Sequence, residues 1–228
     1  MRHVLAALAV LAAVVPAAGA ESLAELLGSV VANARFETPA RADVRIDAGG
    51  TEGRAILLGR GDTLYVEVRD GLRALLRGRE VELAPGAKPA GPPALGASNV
   101  LLEDLAVFGP AALTFPQISD DGPAGVVVTG APAGGSAWAL LVHTIDRGRR
   151  AIVKTQYYQG TVSNLVKIRR DDGLVQVGAH WRPTEITVES FGESRRTRLA
   201  LAWREAPDAP ARLFEPAGLA QPSGLAWP

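Results

Sequence analysis

An α+β fold dominated by one large, curled antiparallel sheet is what this sequence predicts. Three observations carry it: many short runs alternating apolar and polar residues, two amphipathic helical stretches, and a length of 228 residues that suits one core. The run spacing predicts a sheet of about ten strands. A sheet of that size must curl, and a curled sheet closed off by helices encloses space.

The first twenty residues, "MRHVLAALAVLAAVVPAAGA", have the composition of a cleaved secretory signal peptide. Arg2 precedes an apolar run from Val4 to Val15, Pro16 ends the run, and Ala18-Gly19-Ala20 supplies a cleavage pattern. The run is shorter than the ~20 apolar residues that span a bilayer; an uncleaved anchor is the competing reading. There is no cysteine, so neither a lipid-modified Cys nor a disulfide framework follows the leader. Residues 21–228 are expected to form one soluble, exported domain.

Residues 22–35, "SLAELLGSVVANAR", predict a helix. Ser22 and Glu25 stand at capping-box spacing, and Leu23, Leu26, Leu27, Val30 and Val31 form one apolar stripe. Short strands follow, among them "DTLYVEVR", where Leu64, Val66 and Val68 share one face and Tyr65, Glu67 and Arg69 the other. The Pro/Gly/Ala-rich stretch 84–97 predicts a long loop or lid margin within one domain. A second, short helix is expected over 98–109, with Leu101, Leu105 and Phe108 as its stripe and Gly109-Pro110 as its stop.

"TFPQISDDGPAG" reads as loop, and strands are expected at 125–130, 136–146, 150–158, 161–171, 174–178, 184–191 and 195–204. In the last of these Thr197, Leu199, Leu201 and Trp203 face one way, and Arg196, Arg198, Ala200, Ala202 and Arg204 the other. In "KTQYYQGTVSNLVKIRRDDG" the expected inward row is Val153, Thr155 and Tyr157, then Val162, Val166 and Ile168. Lys154, Gln156, Lys167 and Arg169 are expected on the solvent side. The Pro-rich tail ends in apolar residues.

Groups for chemistry are few. Twenty-four Lys and Arg balance 24 Asp and Glu, so no net field attracts a polyanion and nucleic acid is not the expected ligand. His143 lies inside a strand and His180 just before one, neither with a metal-ligand partner at i+2 or i+4. The pairs Asp120-Asp121 and Asp171-Asp172 sit beside glycine in turn contexts. No Gly-x-Ser-x-Gly elbow and no phosphate-cradling loop occurs. The expectation is therefore no enzyme, no metal and no cofactor. His143 or His180 beside an acid or hydroxyl in a cleft would reopen catalysis.

Four stretches, in order, resemble the LolA-like family of outer-membrane lipoprotein-sorting proteins. "SNVLLEDL" (98–105) carries Glu103-Asp104-Leu105, and "AIVKTQYYQGTVSNLVKI" (151–168) carries Lys154, Tyr157-Tyr158 and Lys167. "HWRPTEITVES" (180–190) opens a strand at Pro183-Thr184, and "TRLAL" followed by "ARLFEPAGL" places Thr197, Leu213-Phe214 and Leu219. The resemblance covers most of 98–219 and is weaker over 36–90, where only the strand rhythm agrees.

It implies a half-open barrel in the periplasm with an apolar interior for acyl chains. The candidate lining comprises Leu64, Val66, Val68, Leu101, Leu105, Trp138, Leu140, Val142, Tyr157, Val166, Ile186, Val188, Leu199, Leu201 and Trp203. The implied partners are lipid or lipoprotein acyl chains, with an inner-membrane exporter or outer-membrane receptor, and the chain is expected to act as a monomer. The alternative is a periplasmic sensor or protein-interaction module on the same fold with its cavity filled.

Overall fold

The computed structural model describes residues 21–89, 91–109, 112–123, 125–133, 136, 138–192 and 194–227. The expected leader and the Pro110 helix stop lie outside them. Ser22 starts the helix α1 (Leu23–Ala34): its hydroxyl accepts from the Glu25 amide at 3.2 Å, and the Glu25 carboxylate accepts from the Ser22 amide at 2.8 Å. Leu26 and Val30 are its buried residues, as the stripe predicts.

Five strands follow: β1 (Phe36–Ala48), β2 (Thr51–Gly61), β3 (Thr63–Val68), β4 (Arg73–Arg77) and β5 (Glu80–Leu83). Beyond the segment 91–109 come β6 (Leu113–Gly122), β7 (Gly125–Pro132), β8 (Trp138–Asp146), β9 (Ala151–Gln159) and β10 (Leu165–Asp172). β11 (Val175–Val177) and β12 (His180–Arg182) pair as a separate two-stranded ribbon. β13 (Glu185–Ser190) and β14 (Arg195–Glu205) complete the series.

Twelve strands form one antiparallel sheet in the order β5-β4-β3-β2-β1-β14-β13-β10-β9-β8-β7-β6. β5 and β6 are its free edges, so the sheet is not closed into a barrel. Part of the stretch expected as loop is the edge strand β6. Its pairing to β7 slips between Thr114 and Gln117 and again between Ile118 and Asp120. An edge strand with bulges tolerates Pro116, Asp120 and Asp121, which is why its sequence looks like a loop.

The second helix expected at 98–109 is also corrected. Only Leu102–Leu105 coil, as one 3-10 turn, and Ala106 is already extended. Leu95, Val100, Leu102, Leu105 and Val107 are all buried here in one cluster with β1–β4, β13 and β14. Apolar side chains needed in a winding path through a core do not require one helical face. The segment 91–109 is thus a plug lying on the sheet, rather than a helix beside it.

The concave face carries two packed regions. The plug fills one, over Ala42, Val44, Leu57, Leu64, Val66, Leu199 and Leu201. α1 fills the other, with Leu26 and Val30 against Val126, Val128, Leu141, Ile145 and Tyr157. On the opposite face the tail turns back through two 3-10 turns, Ala211–Phe214 and Pro216–Ala220. It covers Ile56, Leu58, Tyr65 and Leu75 with Leu213, Phe214 and Leu219. The row of Tyr65 and Glu67 therefore points away from the cavity yet is buried.

Truncating a buried leucine leaves a cavity and costs about 2–5 kcal/mol. Leu213→Ala is expected to destabilise the chain by that amount in urea unfolding. A change within 0.5 kcal/mol would mean that the tail is not part of the folded unit.

Candidate functional site

A cavity of about 210 Å³ remains between α1, the plug and the sheet. Leu64, Leu105, Trp138, Tyr157, Ile186, Leu201 and Trp203 line it, together with Phe36, Leu57, Phe108 and Leu141. Val66, Val68, Val188 and Leu199 lie in the same concave-face cluster but pack beneath the plug and are not part of the lining. Leu101 is half-buried, bridges Ala94 on the plug, and is also outside the lining.

Leu140 and Val142 must be corrected, for they pair with Tyr158 and Gln156 and so point to the opposite face. A register shift between Trp138 and Leu140 causes this. Trp138 stays inside, its ring 5.2 Å from that of Tyr157, and the inward row continues as Leu141 and His143. One extra residue in a strand turns every later side chain to the other face.

The same thing happens on β10. Leu165 pairs with Tyr158 but Lys167 pairs with Tyr157, so Val166 sits in the irregularity and does not line the cavity. Lys167, Arg169 and Asp171 then share the inner face with Thr155 and Tyr157, contrary to the expected solvent positions of Lys167 and Arg169. Ile168 faces outward with Gln156, and Val162 is exposed in the turn.

The inner face of β10 thus presents charge, and the plug meets it. Lys167 Nζ donates to both Asp104 carboxylate oxygens at 2.8 Å, with the two residues only 3% and 4% exposed. The ammonium also lies 4.6 Å from the Trp138 ring centroid and 4.7 Å from that of Tyr157. The Asp104 carboxylate accepts from the Leu101 amide at 2.8 Å, and Arg169 donates to the Asp104 carbonyl. At the other end of this stretch Asn99 Nδ2 donates to Ser190 Oγ at 2.8 Å and to the Arg195 carbonyl at 3.1 Å. Both charge and amide therefore pin the plug.

Arg169 makes a two-pronged pair with Asp171, Nε and Nη2 each 2.6 Å from a carboxylate oxygen. Burial opposes the Arg169 charge, but Asp171 outweighs it and pushes the guanidinium pKa up. Burial first, then the Asp104 charge, push the Tyr157 phenol well above its ordinary range. Asp171 is a buried partner in this network and not a turn residue.

His143 lines the same cavity, its Nδ1 3.0 Å from Thr155 Oγ1 and its Nε2 buried without a partner. This is the histidine–hydroxyl arrangement in a cleft that would reopen catalysis. Burial, then Arg169 and Arg79, pull its pKa down to about 4, which makes the imidazole a weak base at neutral pH. Among the described residues no carboxylate is hydrogen-bonded to the ring. His180 Nε2 lies 3.6 Å from Glu37 and does not line the cavity. Among the described residues no group of three or more His, Cys, Asp and Glu is placed to hold a metal ion.

No family model matches the sequence, and no curated protein matches it. Solved structures do. The fold is similar to that of a domain from Vibrio parahaemolyticus designated an outer membrane lipoprotein-sorting protein domain. That match has a TM-score of 0.67 at 15% identity and covers 87% of this chain and 98% of that one. A LolA superfamily protein from Nitrosomonas europaea matches at TM-score 0.62 and 17% identity, over 86% and 98% of the two chains. A DUF1329 family protein from Desulfovibrio piger matches at 0.59 and 13%, over 85% and 97%. The fold is therefore LolA-like, as the ordered motifs imply.

Removing one partner of a buried ion pair strands the other and costs about 3–5 kcal/mol. Lys167→Met is expected to lose that much in urea unfolding, and the double variant Lys167→Met/Asp104→Asn to lose less. A double-variant loss equal to the sum of the separate Lys167→Met and Asp104→Asn losses would show that the pair carries no coupling. The His143 pKa lies below its ordinary 6.5, so the unfolded chain binds its proton first as pH falls. Stability from neutral His143 is complete above pH 6.5 and is lost as pH falls toward 4. His143→Gln is expected to flatten that fall by up to about 1.4 kcal/mol per pH unit; identical slopes would refute it.

Proposed function

We propose that this chain is an exported carrier or binding protein for acyl chains of lipids or lipoproteins, acting in the periplasm. The observation that carries the reading is the cavity between α1, the plug and the concave face, walled largely by apolar and aromatic side chains. The LolA-like fold and the leader-like residues 1–20 support it. Burying an acyl chain there gains about 0.8 kcal/mol per CH₂, which is enough for a carrier that performs no covalent step. An inner-membrane exporter or outer-membrane receptor would load or unload it.

The cavity of about 210 Å³ is smaller than the roughly 300–1,000 Å³ of ordinary small-molecule sites. A whole acyl chain needs more room. Room would have to come from the plug, which among the described residues joins the sheet by no strand ladder, so that moving it means breaking the Asp104–Lys167 and Asn99 contacts. The filled half beneath the plug also favours the second reading, a protein-interaction module that holds no lipid.

Purified from its native host, the exported chain is expected to release lipid on solvent extraction. Trp138, Trp181 and Trp203, of four tryptophans in all, line the cavity. A spin-labelled fatty acid should therefore quench most of the tryptophan fluorescence. No extractable lipid and no quenching, together with one stoichiometric protein partner in a pull-down, would overturn the carrier reading.

A further inference from the structure

Four arginines line the cavity, and three are matched by carboxylates. Arg79 lies 3.4 Å from Glu103, Arg150 2.7 Å from Glu21, and Arg169 2.6 Å from Asp171. Arg182 is different. It is 6% exposed, and among the described residues no carboxylate lies within ion-pair distance of it. Its Nη1 donates to the Asn33 carbonyl at 2.7 Å and its Nη2 to the Arg35 carbonyl at 2.6 Å, at the C-terminal end of α1. Its Nε is buried and unpartnered.

A structural role as a clasp on the end of α1 accounts for the Nη hydrogen bonds. It leaves Nε unpaired and the charge offset by carbonyl dipoles, worth about half an elementary charge at a helix end, and by an aromatic ring. The guanidinium lies over the Phe36 ring, 4.3 Å from its centroid, and Trp181, Pro183 and Trp203 adjoin it in the lining. Burial alone pulls its pKa down to about 10, so it remains charged at neutral pH. A desolvated cation on an aromatic wall, facing a cavity and lacking an anion, is the complement of an anionic head group.

We propose that the cavity selects a single-chain amphiphile with an anionic head, a carboxylate or phosphate, held by Arg182 while its chain lies on the apolar lining. That lining continues from Phe36 and Trp203 to Leu57 and Leu64, which belong to the same packed cluster. The inference rests on the acyl-chain reading above and adds the head-group chemistry to it.

The test is isothermal titration calorimetry at pH 8 on the full exported chain with dodecanoate, monododecyl phosphate and dodecanol. At least one anionic probe should bind about tenfold more tightly than the alcohol, as charge-assisted hydrogen bonds allow. Which one is preferred separates a carboxylate from a phosphate ligand. Arg182→Gln should abolish the preference for the anionic probe over dodecanol, and Arg182→Lys should keep part of it. If Arg182→Gln fails to fold, the native comparison and Arg182→Lys still decide. Equal native binding of all three probes, or a preference that survives in Arg182→Gln, would overturn the head-group inference alone. Binding of none would overturn it together with the carrier reading.

Discussion

The buried contact between Asp104 and Lys167 is the joint on which the arrangement depends. It ties the plug, which has almost no sheet pairing, to Lys167 on β10, 63 positions further along the chain. Two charges taken out of water are costly, and the site offsets that cost with several groups at once. The carboxylate also takes the Leu101 amide, and the ammonium rests on two aromatic rings. With Asp104 held there, the plug ends against β10, and the space between it and α1 stays open as a cavity.

A half-barrel of this kind must cover two faces, and the chain uses different material for each. The plug and α1 share the concave face, whereas the returning tail seals the convex face of β2–β4. Tyr65 and Glu67 alternate correctly as an outer row, yet the tail buries them, and burial pushes the Tyr65 phenol pKa up. A strand that reads as half-exposed is therefore covered on both sides. The cavity that results is walled by aromatic and aliphatic groups, with four of the described arginines among its lining.

The elements that were legible in advance are those governed by local rules. The capping box of Ser22 and Glu25 marks the start of α1, and the unbroken alternation of β14 turns Thr197, Leu199 and Leu201 inward while Arg196 and Arg198 stay exposed. Legibility stops at irregularities. The shifts at Trp138/Leu140 and Leu165/Lys167 move Leu140 and Val142 out, and Lys167, Arg169 and Asp171 in. No residue type marks either shift, because a bulge is set by how two strands meet and not by one strand's composition. The plug departs from the expected helix for a related reason: Leu101, Leu105 and Phe108 stand at helical spacing, but only Leu102–Leu105 coil where the core takes the segment.

The sequence by itself determined the large antiparallel sheet, the opening helix, the direction of the regular strand faces and, through ordered motifs, a LolA-like fold. These follow from periodicity and capping, which are properties of neighbouring residues. Only the tertiary structure decided that two of those motifs meet as Asp104 on Lys167, that β10 offers charge to the interior, and that the buried Arg182 Nε has no hydrogen-bond partner among the described residues. Each of those outcomes is a matter of which distant group arrives to replace water around a charge. A lysine in a strand carries no local sign of the aspartate and the aromatic rings that will hold it once the chain has folded.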